Sequence, residues 1–137
     1  MDHIERHKKG WGEELWIANS PLYCGKKLIL EKKYLLRDDK GTLAETPAEA
    51  IYRMSKTMAN VERQYEKSDE EVYQFTKQFY DIISNGLFSP AGRIWTNAGT
   101  DIKGLFNCYV LPVSDSLEKI YESVKKAAII HKNGGAT

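Results

Sequence analysis

Residues 105–137 read LFNCYVLPVSDSLEKIYESVKKAAIIHKNGGAT, and this stretch decides the fold that the sequence predicts. Its first part, Leu105–Val113, is a short apolar run of Val, Tyr, Phe and Leu that contains Cys108. A run of this length and composition is typical of a buried strand, and Pro112 marks its end. Cys108 is then either a packed thiol of the core or a thiol with a chemical role.

The second part of the stretch, Leu117–His131, has the periodicity of an amphipathic helix. Ser114, Asp115 or Ser116 can cap its first amides, and the glycine loop Asn133–Gly135 ends it. A helix N-terminus also suits an anion such as phosphate, so the polar turn is either a plain cap or part of a binding site. The apolar face of the helix comprises Leu117, Ile120, Tyr121, Val124, Ala127 and Ala128.

Two segments carry a resemblance to a known family. The run NCYVLPVSDSLEKIYESVKKAAIIHKNGG at 107–135 resembles the start of the catalytic barrel of ribonucleotide reductases, and it is most similar to the adenosylcobalamin-dependent (class II) enzymes. The run FSPAGRIWTNAGT at 88–100 resembles their substrate-binding segment. The similarity extends from about Leu28 to the end of the chain and is densest from Phe88 onward.

The resemblance implies a fold class and a domain division. We expect a mainly α chain, with an N-terminal helical domain followed by the first strand and helix of an α/β ten-stranded reductase barrel. The division is an N-terminal arm at 1–27, a helical domain at 28–86 and the start of the barrel at 87–137. A barrel of that size cannot close from one or two strands, so the remainder is expected as a second chain or a missing C-terminal part.

The resemblance also implies site residues. Cys108 matches the first cysteine of the redox pair, whose two thiols become a disulfide as the ribose 2′-hydroxyl is lost as water. The turn before the predicted helix matches the site for a specificity effector, dNTP or ATP, and comprises Asp115, Ser116 and Leu117. The positions that match substrate contacts are Ser89, Asn107, Gly134 and Gly135.

The 88–100 segment is also interpretable without the family. Its Gly, Pro, Ser, Thr and Asn content predicts an ordered loop, with Ser89 extended before Pro90. A hydroxyl and free loop amides can hold a phosphate, and a plain connecting turn explains the segment equally well. Arg93 is a candidate phosphate partner on charge alone, and the resemblance assigns it no role. One departure from the family pattern is Ala136, which replaces a glycine and requires a negative φ.

The cofactor and partners follow from the resemblance too. Adenosylcobalamin is expected, with contacts mostly outside this chain, and the alternative is a class I large subunit that uses a di-metal radical partner. Further partners are a thioredoxin-like reductant and a second copy bound through helix 117–131. The radical cysteine and the second redox cysteine are expected elsewhere, so the chain alone is expected to be inactive. Two other hypotheses are a nucleotide-binding, dimerising fragment without catalysis and a folded remnant with only structural roles.

Composition limits the other classes of function. The net charge of +1 gives no support for a nucleic-acid or membrane surface. Two cysteines do not form a disulfide framework, and no signal peptide is visible, so a reducing cytoplasm is expected. His3 and His7 have helical spacing but no third ligand nearby, so no metal site is predicted. Cys24 is placed in a loop between Pro21 and Gly25.

The first half of the chain predicts a helical hairpin. Leu28–Leu36 is either a short strand or the end of a helix. Thr46 and Glu49 form a capping box before a helix over Pro47–Tyr65, with an apolar stripe of Ile51, Met54, Met58, Val61 and Tyr65. A second capping box, Ser68–Glu71, begins a helix that ends at Gly86, with its apolar stripe formed by Val72, Phe75, Phe79 and Ile82.

Overall fold

The computed structural model describes residues 23–102 and 104–137, with side chains from residue 27 onward. His3, His7 and most of the predicted N-terminal arm therefore lie outside the described residues. The helices within the described ranges are α1 (Tyr23–Lys33), α2 (Pro47–Ala59), a 3₁₀ helix (Asn60–Tyr65), α3 (Asp69–Ser84), α4 (Gly92–Asn97) and α5 (Leu117–Lys132). None of these helices is long and apolar enough to cross a membrane.

Helices α2 and α3 pack against each other as the predicted hairpin. Both predicted capping boxes are present. The Thr46 hydroxyl accepts from the Glu49 N–H at 3.3 Å, and the Glu49 carboxylate accepts from the Thr46 N–H at 2.8 Å. Ser68 and Glu71 form the same reciprocal pair. Each box satisfies amides that the first helical turn leaves without intrahelical partners, so the two helix starts are fixed locally.

The hydrophobic core lies where α1, α2, α3 and α4 meet. Tyr34 packs against Trp95 with ring centroids 6.2 Å apart, which ties the connection after α1 to α4. Burying each large apolar side chain contributes about 1.5–3 kcal/mol, so this cluster is the main stabilising element of the described chain. Its buried members are Leu30, Leu35, Ala50, Ile51, Met54, Tyr80, Ile83, Trp95 and Ala98.

Two details of the hairpin prediction are wrong. The predicted helix Pro47–Tyr65 is an α-helix only to Ala59, and the tighter 3₁₀ turn that follows leaves Val61 and Tyr65 exposed. The apolar stripe predicted on α3 is also partly wrong. The face of α3 that packs against α2 is displaced around the helix from the predicted face. The side chains that α3 buries are Val72, Thr76, Tyr80 and Ile83, whereas Ile82 is exposed.

Two segments predicted as loops contain helices. Cys24 lies in the first turn of α1. The same helix extends to Lys33, so most of Leu28–Leu36 is helical and not a strand. The 88–100 segment contains α4 at Gly92–Asn97, which is short and has no apolar period to reveal it. Its helical geometry is stabilised by the burial of Trp95 in the core and of Asn97, whose side-chain amide donates to the Gly104 carbonyl at 2.8 Å.

The last third of the chain combines a confirmed helix with a corrected strand. Helix α5 starts and ends within one residue of the prediction. Leu105–Val113 is not the predicted buried strand, since its β pairing is an isolated bridge at Cys108, Val110 is 98% exposed and Phe106 is 73% exposed. Its one β-bridge within the described residues is a parallel pairing of Cys108 with Ala136. An extended strand needs neighbours on both sides to be buried, and the described residues supply only this single pairing.

Candidate functional site around Cys108

The pairing of Cys108 with Ala136 brings the two ends of the last third together. The Tyr109 N–H donates to the Ala136 carbonyl at 2.8 Å, and the Ala136 N–H donates to the Asn107 carbonyl at 2.8 Å. Parallel neighbours require a crossover, and here the crossover contains α5, as in a βαβ unit. The cysteine itself is exposed and free. Among the described residues, Cys108 is therefore exposed and is not packed in their core.

The glycine loop after α5 closes in a Schellman motif. The Gly134 N–H donates to the His131 carbonyl at 2.8 Å, the Gly135 N–H donates to the Ile130 carbonyl at 2.9 Å, and Gly134 has φ = +74°. A Cβ on Gly135 would lie 2.7 Å from Ile130 Cγ2 and 2.7 Å from Tyr109 Cε2. Gly134 is thus required by the backbone conformation, and Gly135 by its close contacts with Ile130 and Tyr109.

Ala136 occupies a position where a side chain is tolerated. Among the described residues, Glu66 is the one non-glycine residue with a positive φ. Ala136 therefore has no positive φ, which is the condition for an alanine to replace the family's glycine at this position. Its neighbour Thr137 lies with Oγ1 2.9 Å from His131 Nε2. The loop therefore returns to the end of α5 while its backbone pairs with the main chain at Cys108.

Asn107 lies at the junction of this loop with α4. Its Oδ1 accepts from the Arg93 N–H at 3.2 Å, so the side chain holds the first turn of α4. The Arg93 guanidinium in turn donates through Nη2 to the Asn133 carbonyl. Ser89 is exposed and lies just before α4, next to the buried Pro90. The structure thus brings Asn107, Cys108 and the glycine loop together.

The polar turn before α5 lies at the other end of that helix. Ser116 is the N-cap, and its hydroxyl accepts from the Lys119 N–H at 3.3 Å. Asp115 and Leu117 are exposed. A 16-residue α-helix is about 24 Å long, so the turn and the glycine loop are separated by roughly that distance. The Ser123 hydroxyl donates to the Pro112 carbonyl at 2.7 Å, which holds the extended segment against the helix.

Helix α5 has no buried residue within the described chain. Leu117 is 76% exposed and Tyr121 is 70% exposed, so its apolar face is open. On its polar face, a hydrogen bond from Lys126 and the charges of Lys126 and Lys119 lower the pKa of Glu122. The helix is amphipathic as predicted, but nothing in the described residues covers its apolar side.

Comparison with known proteins identifies the family. The family described as "Ribonucleotide reductase, all-alpha domain" matches residues 20–103, which is more than half of the chain. The chain belongs to the ribonucleotide reductase family.

Full-length reductases extend the likeness beyond that domain. The vitamin B12-dependent ribonucleoside-diphosphate reductase of Mycobacterium tuberculosis is 34% identical over 109 residues, which cover 80% of this chain and 16% of the relative. A protein of the same name from Thermoplasma acidophilum is 31% identical and also covers 80% of the chain. The ribonucleoside-diphosphate reductase large subunit of Trypanosoma brucei brucei is 30% identical, covering 96% of the chain and 17% of the relative. The matched part of the chain spans 16% to 21% of the length of these reductases.

Apart from Ser89, which is exposed just before α4, the reductase residues predicted from the sequence form two groups in the structure. Asn107, Cys108, Gly134 and Gly135 are in one cluster, and the turn 115–117 is at the far end of α5. Arg93 is the member of the cluster that sequence reasoning left unassigned. Its positive charge was the one signal available, because the contact with Asn133 joins residues that are forty positions apart.

Proposed function

We propose that this chain contributes one of the two redox thiols of a ribonucleoside-diphosphate reductase, and that Cys108 carries it. The observation that supports this role most directly is the exposed thiol of Cys108, held beside Asn107 and the glycine loop by the pairing with Ala136. A thiol that reduces a substrate must reach it, and a buried core cysteine would not. The diphosphate substrate is supported by the names of the relatives.

The chemistry requires a second thiol from another part of the enzyme. Two thiols are oxidised to a disulfide, the carbon–oxygen bond at the ribose 2′ position is replaced by a carbon–hydrogen bond, and the oxygen leaves as water. A thioredoxin-like dithiol then reduces the disulfide for the next turnover. In this proposal Ser89 contacts the substrate phosphate, while Asn107, Gly134 and Gly135 border the substrate beside Cys108. The chain alone is then inactive.

The proposed radical generator is adenosylcobalamin, because the Mycobacterium and Thermoplasma relatives are named as vitamin B12-dependent. The described neighbours of Cys108 are Asn107, Tyr109 and the paired Ala136, with the Phe106 and Tyr109 rings 6.5 Å apart, and no histidine that could ligate cobalt is among them. The described residues also contain no group of three His, Cys, Asp or Glu side chains that could hold a metal ion. We therefore place the cofactor contacts in other parts of the reductase. A di-metal radical subunit is the alternative.

The turn 115–117 is the proposed site for a dNTP or ATP effector, and the open apolar face of α5 is the proposed contact with a second copy. Because Ser116 provides the helix cap, the Asp115 carboxylate is not needed for capping and can accept from a ribose hydroxyl. A symmetric dimer would cover Leu117, Tyr121 and Val124, which are all exposed in the single chain.

The redox role is tested with Cys108→Ser in the complete reductase, either as one polypeptide or with the remainder supplied as a second chain. We expect folding to be preserved and steady-state formation of deoxyribonucleotide with adenosylcobalamin and a dithiol to be abolished. Cys24→Ser is the matched control and should retain turnover. Normal steady-state turnover by Cys108→Ser would refute the redox role, and activity only with a di-metal radical subunit would select the other cofactor class.

The effector site is tested with two variants of one turn. Asp115→Ala should weaken dNTP binding by about 1–3 kcal/mol, the usual cost of a lost charged hydrogen bond, and should leave basal turnover intact. Ser116→Ala should instead destabilise α5 by about 1 kcal/mol through the lost cap. Unchanged effector binding by Asp115→Ala would refute its role. Stabilisation of the chain by dNTP without any turnover in the complete protein would favour the binding fragment without catalysis.

A further inference from the structure

Arg93 connects three segments that are far apart in the sequence. Its N–H in the first turn of α4 donates to Asn107 Oδ1 at 3.2 Å. Its guanidinium donates through Nη2 to the carbonyl of Asn133, the C-cap residue of α5. The main chain of Arg93 therefore contacts Asn107, just before Cys108, and its side chain contacts Asn133, the first residue of the glycine loop.

The guanidinium adds one hydrogen bond to the C-terminal end of α5. The last carbonyls of a helix have no intrahelical partners, and the two glycine N–H groups satisfy those of Ile130 and His131. Arg93 satisfies the carbonyl of Asn133, the C-cap residue, which lies two positions beyond His131. A Cβ on Gly134 would overlap this guanidinium and lie 2.9 Å from Cζ, so the arginine packs directly on the loop backbone.

The loop then reaches Cys108 through Ala136, whose N–H and carbonyl pair with the main chain on both sides of the cysteine. We infer that Arg93 is a positioning residue that fixes the Gly134–Gly135 loop against the Asn107–Cys108 segment. The structure shows these contacts directly, whereas their effect on substrate reduction rests on the function proposed above. An arginine suits this role because its planar fork stays charged and holds an orientation that a lysine cannot.

Disulfide trapping reports the position of the loop directly. Neighbouring strands lie about 4.8 Å apart, a separation at which two cysteines can be bridged. The full chain would carry Ala136→Cys and Cys24→Ser, so that Cys108 and position 136 hold its two thiols. Oxidised glutathione supplies the oxidant by thiol–disulfide exchange, and peptide mass mapping follows the Cys108–136 bridge with time.

Arg93→Ala in this background is expected to slow bridge formation at least tenfold. Added guanidinium chloride at tens of millimolar should restore much of the rate, whereas sodium chloride at equal ionic strength should not, because only guanidinium can replace the missing donor. Arg63→Ala is the matched control, since Arg63 pairs with Asp69 on the surface and should leave the rate unchanged. An unchanged rate in Arg93→Ala would overturn the inference.

Arg93→Lys covers the case in which Arg93→Ala does not fold. It keeps the charge but loses the fork, so we expect native circular dichroism with bridge formation slowed by severalfold. A rate equal to that of the parent chain would overturn the inference. Trapping requires no reductase activity, so its failure is distinct from the failure of the redox role of Cys108.

The consequence for the enzyme has its own readout. In the complete reductase, Arg93→Lys should raise KM for the ribonucleotide by about fivefold and change kcat less. The reason is that a displaced Gly134–Gly135 loop would lose contacts with the bound ribonucleotide. Loss of folded protein alone would lower the apparent kcat and leave KM unchanged, and that result would overturn the link to substrate. A raised KM with unchanged trapping would assign Arg93 to the substrate anion and overturn the positioning role.

Discussion

The guanidinium of Arg53 and the carboxylate of Glu45 form a bidentate ion pair, with Nη2 to Oε1 at 2.7 Å and Nε to Oε2 at 2.9 Å. The arginine also donates to the carbonyl of Trp95 at 2.9 Å and to that of Ala98. Glu45 Oε1 accepts from the Leu36 N–H at 2.9 Å. This pair therefore joins the segment after α1, helix α2 and the end of α4.

Removing Arg53 should be costly. The two side chains are only 13% and 8% exposed, so Arg53→Met would leave the Glu45 carboxylate buried without its counter-charge. We expect a loss of about 3–5 kcal/mol in the free energy of unfolding, measured by urea denaturation. Arg63→Met breaks an exposed pair with Asp69 and should cost less than about 1 kcal/mol. Equal losses in the two variants would contradict the buried role of the first pair.

Ser55 carries a hydroxyl that α2 does not use. The residue is 1% exposed, and its Oγ has no hydrogen-bond partner among the described residues. Ser55→Ala should raise the free energy of unfolding by about 1 kcal/mol, because alanine removes an unsatisfied polar atom and favours the helix. Thr76→Val is the comparison. The Thr76 hydroxyl donates to the Val72 carbonyl at 2.8 Å, so its loss should destabilise by about 1 kcal/mol.

Comparing Gly99 with Gly41 distinguishes backbone strain from steric overlap as costs of replacing a glycine by alanine. Their φ angles are +74° and +79°, so an alanine at either position is strained by about 1–2 kcal/mol. At Gly99 the new Cβ would also lie 2.8 Å from Arg53 Cγ and 2.8 Å from Thr57 Oγ1, whereas at Gly41 it meets nothing within 4 Å. Gly99→Ala should therefore lower the melting temperature clearly more than Gly41→Ala. Similar melting temperatures would contradict this packing.

Glu71 gives the second capping box a pH dependence. A hydrogen bond from Lys67, followed by those from the Ser68 backbone and hydroxyl, lowers the pKa of Glu71 from 4.5 to about 2. A carboxylate with a depressed pKa stabilises the folded state above pH 4.5, and this contribution is lost as the pH falls toward 2. Because the group is fully exposed, we expect a small effect confined to that interval.

The cause of this shift can be measured by NMR titration of the Glu71 carboxyl carbon. Lys67→Gln removes the largest cause and should raise the pKa of Glu71 toward its usual value. Ser68→Ala removes only the hydroxyl and should raise it less. Lys77→Gln makes the same substitution within α3 and should leave the titration of Glu71 unchanged. An unaltered titration in Lys67→Gln would show that the lysine is not the cause.

The features that the sequence predicted correctly depend on interactions between near neighbours. Both capping boxes join residues three positions apart, and the end of α5 is fixed by the Asn133–Gly135 loop that follows it. The 3.6-residue period predicted that α2 and α3 are helices and that they pair. Each of these signals is complete within a few residues, so no knowledge of the tertiary structure was needed to interpret them.

The features that the sequence missed depend on what each segment packs against. The buried face of α3 is set by its contact with α2, and α4 is held as a helix by the burial of Trp95. The run 105–113 has the composition of a buried strand, yet burial requires neighbours that the described residues do not supply.

The sequence by itself determined the family resemblance, the helical hairpin and the boundaries of α5. Only the tertiary structure decided that Cys108 is exposed beside Ala136 and that Arg93 caps the loop at Asn133. Arg93 and Asn133 are forty positions apart, and their contact exists because α4, the 107–108 segment and the end of α5 meet in space. Sequence periodicity shows which residues share one face of a helix, but not which distant segment that face will contact.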